Sequence, residues 1–376
     1  MATLQDVAAL ASVSLATASR VLSGSTHPVA DGTRRRVLSA AVELDFEPNM
    51  LASGLARSRT QVAAVMVHDM MDEYFSEIAR GLEDEAYANG YATLICNTDR
   101  DLAKELLYLR KLRAMQVDAI VFTAGASTEK AHRAEIDRQL NQIESTGGVV
   151  VRLAPHPGGK PDIGYSNSVG LRLAVDHLVA LGHSRIGFLA GPARIATSTE
   201  RLSAMRRAMK SHGLVLEQEA ILEGGFNREH GEEAADRFVG AGCPATAVVA
   251  ANDHSAIGFL RGLRKCGVAV PSDVSVVGYD DIRPCAYVEP ALTTVSVPLY
   301  DLGVRGMRLA LDLLRGESRP APLELPLELT VRASTAPPSR VPLRIGDSPN
   351  GNESVVMASP ESSNGAERLE SVDRRP

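Results

Sequence analysis

The chain has 376 residues, of which 44% are hydrophobic and 23% charged, as is typical of a folded globular protein with more than one domain. No apolar run reaches the roughly 20 residues of a transmembrane helix, and the N-terminus lacks the apolar segment of a signal peptide. We therefore expect a cytoplasmic protein with no membrane partner. The cysteines lie too far apart for a zinc knuckle or a disulfide framework: Cys96, Cys243, Cys266 and Cys285.

The first 22 residues are predicted to form two short helices joined by a tight turn at Ser12 and Val13. Thr3 can cap the first helix, with Asp6 three residues on, and Ser14 can cap the second. Crossing of the two helices would bury Val7, Ala8, Val13, Ala18 and Val21. The outward face of the second helix comprises Leu15, Ala16, Thr17, Ser19 and Arg20. Such a face suits a major groove, although an ordinary pair of packed helices would show the same pattern.

A third helix is predicted over residues 31–44, where Val37, Ala41 and Leu44 keep helical spacing and can cover the first two helices. Its first turns also carry three arginines, Arg34, Arg35 and Arg36. Cations at a helix N-terminus oppose the helix dipole, and an external anion would relieve this. The arginines therefore form either a solvated charged face or a surface that meets an anion.

The net charge of −6 is an average that hides a slightly basic N-terminal segment. Residues 1–60 contain six arginines and five acidic residues, so their net charge is +1, and they contain no lysine. Because phosphate contacts set much of a protein's affinity for DNA, a single copy would bind weakly. We therefore expect DNA binding to require a dimer.

Pro48 interrupts the chain, and residues 49–57 then show helical apolar spacing. This segment is shorter than the roughly 12–15 residues that a helix needs to be stable alone in water. It would fold only against its symmetry mate and a DNA minor groove, with Leu55 as a wedge between base steps. A simple linker is the alternative. These observations predict a DNA-binding head over 1–48, followed by a hinge helix and linker over 49–60.

From residue 61 the sequence alternates between strands and helices in two series. Strands are predicted at 62–67, 91–96, 118–122, 149–153, near 163, and at 185–190, 245–250 and 274–278. The helices between them are predicted near 75–82, 102–115, 130–143, 169–181, 200–212, 229–239 and 255–266. Such alternation implies parallel sheets with right-handed crossovers, so the two series predict two doubly wound lobes.

The end of the chain is predicted to join the lobes and then to lose regular structure. Segments 292–297, 299–314 and 323–329 are expected to cross back between the lobes, which completes a core over 61–334. The tail over 335–376 is rich in Pro, Ser, Gly, Asn and Glu and has few large apolar residues. We therefore predict that this tail is disordered.

Several short motifs occur in a recognisable order. The head contains Thr3-Leu4-Gln5-Asp6-Val7-Ala8, Val13-Ser14, Ser19-Arg20-Val21-Leu22, Pro48-Asn49 and Leu55-Ala56. The core contains Leu181-Gly182-His183, Asn252-Asp253, Val276-Val277-Gly278-Tyr279-Asp280-Asp281 and Pro290-Ala291-Leu292-Thr293-Thr294-Val295. With this set the chain resembles the lac repressor/purine repressor (LacI/GalR) family of bacterial transcription regulators over residues 2–333.

The resemblance implies an all-α helix-turn-helix head before an α/β core of two doubly wound parallel-sheet lobes, similar to type I periplasmic binding proteins. It implies a homodimer that binds a pseudo-palindromic double-stranded operator, most often as a repressor. The small-molecule effector, a sugar, a sugar derivative or a nucleobase-like compound, would lie in the cleft between the lobes. Binding of the effector would change lobe closure and thereby the spacing of the two hinge segments.

The resemblance also assigns candidate DNA contacts. Base-edge readers would be Leu15, Ala16, Thr17 and Arg20, with Arg20 able to make a bidentate guanine contact. Phosphate contacts would come from Ser14, Ser19, His27, Thr33 and Asn49. Leu55 would be the minor-groove wedge, and the matching motifs add Thr3, Leu4 and Ala56. The small apolar pair at positions 15 and 16 favours contacts with thymine methyl groups.

The residues that match the family's ligand pocket are Tyr74, Phe75, Thr197, Arg201, Phe226, Asn252 and Asp280. Aromatic faces would pack on a ring, while the Asn, Arg and Asp side chains would bond to its polar edge. At two positions near the same pocket, this sequence departs from the pattern of the family. Arg152 stands near a position where many relatives have an acidic residue, and Ser166-Asn167 replaces a common Asp-Asn pair. These departures favour an anionic ligand, with Arg152 as an additional contact.

Other classes of protein fit the sequence less well. A phosphate-binding Gly-x-x-x-x-Gly-Lys-Ser/Thr loop and a Gly-x-Ser-x-Gly nucleophile elbow are both absent from the sequence. His177 and His183 lie six residues apart, which is poor spacing for joint ligation of a metal from one helix face. We expect no enzyme activity, no cofactor and no metal. An uptake-type binding protein would share the core fold but would not need residues 1–57.

Overall fold

The computed structural model describes residues 2–22, 27–46, 59–125, 130–154 and 161–339. The head consists of α1 (Leu4–Leu10), α2 (Leu15–Leu22) and α3 (Asp31–Glu43). Thr3 and Asp6 form a complete capping box, and Ser14 Oγ accepts the N–H of Thr17 at 3.2 Å. Ser12, with φ 52°, adopts the left-handed conformation in the turn between α1 and α2. Both predicted caps are therefore confirmed.

The three head helices bury a small apolar core of alanines and valines: Val7, Ala8, Ala11, Ala18, Val21, Val37, Ala40 and Ala41. The predicted buried positions agree with this core, except that Val13 is half-buried at its edge. Because these side chains are small, the axes of the three short helices can approach one another closely. The predicted hinge segment over 49–57 lies outside the described residues.

The N-lobe begins with β1 (Val62–Val67), α4 (Glu73–Ala88), β2 (Ala92–Asn97), α5 (Leu102–Ala114), β3 (Ala119–Phe122), α6 (Lys130–Ser145) and β4 (Val149–Arg152). Its described strands form a parallel sheet in the order β2-β1-β3-β4. The strands β1 and β3 are almost wholly buried, because helices cover both faces of the sheet. Their apolar runs explain why the sequence predicts them well.

After β5 (Ile163–Tyr165), the C-lobe contains α7 (Asn167–Ala180), β6 (Ile186–Ala190), α8 (Ala196–Ser211), β7 (Ile221–Glu223), α9 (Arg228–Gly240), β8 (Ala247–Ala250), α10 (Asp253–Lys265), β9 (Ser275–Asp280) and β10 (Thr293–Ser296). The short strand β7 is absent from the prediction, because three residues carry no readable alternation. Helix α8 starts earlier than predicted. The sequence does not reveal this start, because the N-cap residue Ile195 makes no side-chain cap bond and gives no start signal.

The chain then returns to the N-lobe. Helix α11 (Leu299–Leu314) packs against α4, β11 (Leu323–Leu325) pairs in parallel with β5, and β12 (Glu328–Thr330) pairs antiparallel with β10. The C-lobe sheet therefore has the order β12-β10-β9-β8-β6-β7. The predicted crossing is confirmed for segment 299–314, which forms α11, but it is wrong for 292–297, because this segment contains β10 of the C-lobe sheet.

Helices α4 and α11 approach each other through glycines. A Cβ atom at Gly81 would clash with the carbonyl oxygen of Tyr300, and one at Gly303 would clash with that of Ile78. Close backbone approach at these two points lets the helices bury Leu82 and Leu302 completely. A helix that follows the C-lobe in the sequence thus forms part of the N-lobe core.

Both sheets are doubly wound, and this topology determines where a binding cleft is expected. Strand β1 lies between β2 and β3, and β6 lies between β7 and β8, so each sheet has a switch point beside its first strand. Ligands of open α/β sheets bind outside the carboxyl ends of the strands at such points. The loops that follow β1, β3, β6 and β8 are therefore the expected walls of a binding site.

The core extends slightly beyond its predicted end. Nε2 of His183 donates to the carbonyl oxygen of Ala336 at 2.8 Å, and Ser275 Oγ donates to the same oxygen at 3.0 Å. His177 also bonds to Thr335 at 3.0 Å. The predicted tail boundary at residue 335 is therefore too early, and residues 340–376 lie outside the described chain.

Candidate functional site

The outward face of α2 is open to solvent. Leu15 is 46% exposed, Ala16 and Arg20 are exposed, and Thr17 and Ser19 are half-buried. Ala18 and Val21, on the opposite side, are buried in the head core. The helix thus presents the predicted base-reading residues on the side that does not pack.

The candidate phosphate contacts occupy different environments. Ser14 serves as the cap of α2, so its hydroxyl accepts from Thr17 N and also bonds to Thr17 Oγ1 at 2.9 Å. His27 is exposed and Thr33 is half-buried in the first turn of α3. Thr3 uses its hydroxyl within the capping box, where its hydrogen bond lowers the pKa of Asp6. Their contact with DNA stays a prediction, as does that of Asn49, Leu55 and Ala56, which lie outside the described residues.

Two other predicted head residues have structural roles. Leu4 packs against the head core, so only part of its side chain is available to a partner. The Nε atom of Arg36 donates to the carbonyl oxygen of Ala11 at 3.3 Å and ties α3 to the end of α1. Arg35 is exposed and Arg34 is half-buried, so these two remain able to meet an anion.

A cavity of about 790 Å³ lies between the two lobes. Its N-lobe wall includes His68 and Gly125, which follow β1 and β3. Its C-lobe wall includes Asn252, which follows β8, and Asp280 at the end of β9. The cavity therefore lies where the doubly wound topology predicts it, and its volume suits a small metabolite. The structure brings together seven predicted ligand residues on its walls: Tyr74, Phe75, Thr197, Arg201, Phe226, Asn252 and Asp280.

Arg201 is the centre of the C-lobe wall. Only 3% of the residue is exposed, and its guanidinium lies 3.9 Å from the ring centroid of Tyr279. It donates to Asn167 Oδ1 at 3.0 Å, to the hydroxyl of Tyr165 at 3.1 Å and to Asp280 Oδ1 at 3.1 Å, and also to the carbonyl oxygen of Ala251. The side chain is thus fixed in place before any ligand arrives.

The charges of Arg201 and Asp280 stabilise one another inside this wall. Burial alone would lower the pKa of Arg201, but Asp280 raises it, so the guanidinium stays charged. Burial raises the pKa of Asp280, and Arg201 opposes that rise. Each charge depends on the other, because a buried charge without a partner is costly.

Asn252 connects the wall to the helices behind it. Its Oδ1 atom accepts the N–H of Ser255 at 3.1 Å and so caps α10, and its Nδ2 atom donates to the carbonyl oxygen of Phe226 at 3.2 Å. Only 5% of Asn252 is exposed. The cap therefore fixes the position at which the aromatic ring of Phe226 meets the cleft.

The N-lobe wall is aromatic. The rings of Tyr74 and Phe75 pack edge to face with centroids 4.9 Å apart, and His68 contacts Phe75 in the same way at 5.7 Å. The hydroxyl of Tyr74 bonds to that of Tyr165 at 3.1 Å, and burial raises the pKa of Tyr74 well above its usual value. Tyr74 therefore stays neutral and can present its ring to a ligand.

The structure corrects the assignment of Arg152 to the ligand site. Arg152 is 8% exposed and lies beside a separate depression of about 430 Å³, which is also lined by Asp137, Glu144, Asp162 and Arg319. Side chains alternate along a strand, and its neighbours Val151 and Leu153 belong to the core shared by the two lobes. Arg152 therefore faces the other side of the sheet and gives no support for an anionic ligand in the cleft.

Several residues on the cleft walls were not predicted from the sequence, among them His68, Asp72, Arg100, Arg133, Tyr165 and Glu200. Arg100 lies three residues beyond Asn97, the last residue of β2, so its position near the carboxyl edge of the sheet was a usable signal. Arg133 lies on α6, and no sequence signal shows which face of that helix meets the cleft.

A cluster of charges joins the two lobes beside the cleft. Nε2 of His254, on α10, lies 2.8 Å from Glu73 Oε2 and 3.2 Å from Asp72 Oδ1, at the start of α4. Arg228 Nη2 lies 3.4 Å from Glu73 Oε1. Asp72, Glu73 and His254 are spaced so that they could hold a metal ion, but Arg228 already supplies positive charge there. We call these four residues the interlobe cluster.

None of the helices in the described part of the chain is long and apolar enough to cross a membrane.

Comparison with known proteins gives matches to both parts of the chain. Residues 3–49 match the family described as bacterial regulatory proteins, lacI family, and residues 175–335 match a periplasmic binding protein-like domain. Catabolite control protein A of Priestia megaterium is 31% identical over 341 residues, which is 89% of this chain and 99% of that protein. The repressor PurR of Vibrio vulnificus is 32% identical over 333 residues, covering 88% of this chain and 98% of that protein.

Comparison with solved structures shows the same similarity. A lac repressor dimer bound to operator and the anti-inducer ONPF superposes with a TM-score of 0.77 at 27% identity, covering 89% of this chain and 99% of that one. The complex of the transcriptional regulator CelR with cellobiose gives a TM-score of 0.65 at 28% identity, with 89% and 100% covered. A helix-turn-helix head and a two-lobed core with a ligand-sized cleft define a transcription regulator rather than an enzyme. The chain belongs to the LacI family of bacterial regulators.

Proposed function

We propose that this protein is a ligand-responsive repressor that binds a pseudo-palindromic operator as a homodimer and holds a small effector between its lobes. The observation that carries the proposal is the presence, in one chain, of a head helix whose outward face is open to solvent and a preformed cleft of about 790 Å³. Its relatives support it, since one solved neighbour is a lac repressor dimer on operator DNA. Such a protein acts in the cytoplasm, where the chromosome lies.

On the head, α2 enters the major groove. Leu15, Ala16 and Thr17 meet base edges, and Arg20 makes the bidentate contact with a guanine. The residues that set the register on the phosphates are Ser14, Ser19, His27, Thr33 and Asn49. Two-fold symmetry of the dimer matches the symmetry of the operator half-sites, and Leu55 inserts into the minor groove between them.

In the core, the effector lies between the aromatic N-lobe wall and the hydrogen-bonded C-lobe wall. Contact with both walls makes its binding depend on how closely the lobes approach. Lobe closure changes the spacing of the hinge segments and so the affinity of the heads for DNA. A coupling of roughly 1–3 kcal/mol is sufficient for regulation, and it requires that operator DNA alter effector affinity by the same factor.

The test is a selection of bound sequences from random DNA with the purified full-length protein, repeated with a panel of sugars, sugar phosphates and nucleobases. We expect a two-fold symmetric site, and we expect one compound class to weaken or strengthen its binding. Arg20→Ala should relax the preference at one symmetric pair of positions by about 1–3 kcal/mol.

Arg206→Ala is the matched control, because it also removes an exposed arginine side chain, but from α8 in the core. It should leave site preference unchanged. Selected DNA with no common sequence, with or without the compounds, would refute the proposed function.

A further inference from the structure

The arginines on the two walls of the cleft differ in their bonding. Arg201, on the C-lobe wall, donates hydrogen bonds to four residues. Arg100 and Arg133, on the N-lobe wall, make no hydrogen bond or ion pair to any residue that the structure describes, and both line the cleft. The N-lobe wall therefore presents one half-buried and one exposed guanidinium, Arg100 and Arg133, whose donors meet no acceptor in the described chain.

Arg100 is held at the cleft under unfavourable conditions. It is half-buried, and its backbone has φ 57°, in the left-handed region. Burial lowers the pKa of Arg100, and the charges of Asp72 and Asp69 only partly offset this effect. A half-buried guanidinium in this position would gain from a further negative partner, because its donors would otherwise have to remain hydrated.

The acidic residues on the same walls do not provide that partner. Asp280 pairs with Arg201, Glu200 accepts from Asn167 Nδ2 at 2.9 Å, and Asp72 caps α4 and pairs with His254. Glu324 is an exposed residue on β11, in the linking segment. Three of the four acidic groups are thus engaged elsewhere, whereas Arg100 and Arg133 are not.

The opposite wall adds a second donor group. Helix α8 begins at Ala196 with no side-chain cap from Ile195, and Ile195, Ala196 and Thr197 line the cleft. In contrast, helices α4, α7 and α10, which also start beside the cleft, are capped by Asp72, Ser166 and Asn252. The free N–H groups and positive end of α8 favour negative charge in the cleft.

We propose that the effector of this regulator is an anion: a hydroxylated ring compound whose carboxylate or phosphate group is bound by Arg100 and Arg133. This inference rests on the proposed function, because it concerns the ligand of the same cleft. The uncharged part of the compound meets Arg201, Asn252 and Asp280, and its ring packs on Tyr74 and Phe75. Arg152, which faces the other side of the sheet, takes no part.

The experiment compares neutral compounds with their charged counterparts on the full-length protein. The panel pairs glucose with glucuronate and glucose 6-phosphate, galactose with galacturonate and galactose 6-phosphate, and ribose with ribose 5-phosphate. Binding is measured by the shift in Tm and by titration calorimetry, and the effect on DNA by the selected operator. The two kinds of charged compound separate a carboxylate from a phosphate.

We expect at least one charged member to bind about tenfold tighter than its neutral counterpart or more, and to alter operator binding. Arg100→Gln and Arg133→Gln should each remove most of that preference while leaving the Tm without ligand close to that of the wild type. Arg152→Gln is the matched control and should retain the full preference, because its side chain lies outside the cleft.

Two results would overturn the inference: no charged member shifts the Tm, or no charged member binds more tightly than its neutral counterpart. In either case the protein would still select a symmetric DNA site if the proposed function holds. Loss of site selection itself would instead overturn the proposed function, so the two failures are distinguishable.

Discussion

The two walls of the cleft are built differently. On the C-lobe side, Arg201, Asn252 and Asp280 are each less than a tenth exposed and bonded to one another or to the elements behind them. On the N-lobe side, Arg100 and Arg133 make no hydrogen bond within the described chain, and the aromatic rings supply most of the packed surface. One wall is therefore rigid before ligand arrives, while the other presents groups that a ligand must satisfy.

This difference separates two tasks within one site. A rigid wall supplies a preorganised set of donors and acceptors at low entropic cost, so it provides orientation. A wall with cationic groups that lack partners discriminates between ligands, because a compound without the complementary charge leaves those groups unpaired. We expect the C-lobe wall to govern stability and the N-lobe wall to govern ligand choice.

The largest effect is expected at Arg201. Arg201→Met keeps the length of the side chain but leaves Asp280 buried without its cation, which should destabilise the protein by about 3–5 kcal/mol. Urea unfolding monitored by circular dichroism measures this change. Arg100→Met is the matched substitution on the other wall and should change stability by less than about 1 kcal/mol. Equal losses at both positions would erase the contrast between the walls.

A smaller effect is expected at Asn252. Asn252→Ala removes the cap of α10 and the bond to the carbonyl oxygen of Phe226, at an expected loss of about 1–2 kcal/mol. Asn227→Ala provides the control, since Asn227 caps α9 in the same lobe and its Oδ1 accepts the N–H of His230 at 3.0 Å. Both variants should lose stability, but only Asn252→Ala should weaken binding of the effector. Thermal unfolding and titration calorimetry separate the two outcomes.

The smallest effect concerns the interlobe cluster, and it depends on pH. Burial alone would lower the pKa of His254, but the hydrogen bond to Asp72 and the charges of Asp72 and Glu73 raise it above the usual 6.5. Nearby, Arg228 opposes this rise. A raised pKa means that His254 stabilises the folded protein fully below its unfolded pKa, and that this contribution is lost as pH rises through the folded value.

His254→Gln should therefore cost about 1 kcal/mol below about pH 6 and nearly nothing above about pH 8.5. Urea unfolding of the wild type and the variant at both pH values gives the difference. Glu73→Gln, which removes one of the two carboxylates, should reduce the pH dependence without abolishing it. A cost for His254→Gln that is the same at both pH values would rule out a charged His254 between the lobes.

The sequence predicted most of the fold because parallel strands carry the strongest local signals. Val62–Val67 is an apolar run between polar segments, and Thr3 and Ser14 are residues that favour helix caps, so their elements could be predicted directly. Helix α8 was predicted to begin too late because Ile195 is not a residue that signals a cap. Tertiary packing decides that helix end, and no local pattern reveals it.

The site was predictable where motifs fixed it and not elsewhere. Asn252 follows the buried strand β8 and Asp280 ends the buried strand β9, both at the carboxyl edge of the C-lobe sheet, so topology and motif agree on their place. Arg152 was assigned wrongly because strand β4 is apolar on both faces, and such a run does not show which side chains face the cleft. Arg133 was missed because the facing of a helix depends on how it packs.

Packing of α11 on α4 also has a consequence for biosynthesis. The N-lobe is encoded first, yet its core includes Leu302 and Met307 from a helix that leaves the ribosome only after almost the whole C-lobe. Until then, Ile78 and Leu82 on α4 lack the cover that α11 provides, although α4 already packs on β1 and β2. The core of the lobe translated first is thus completed only by a segment that is made after most of the second lobe.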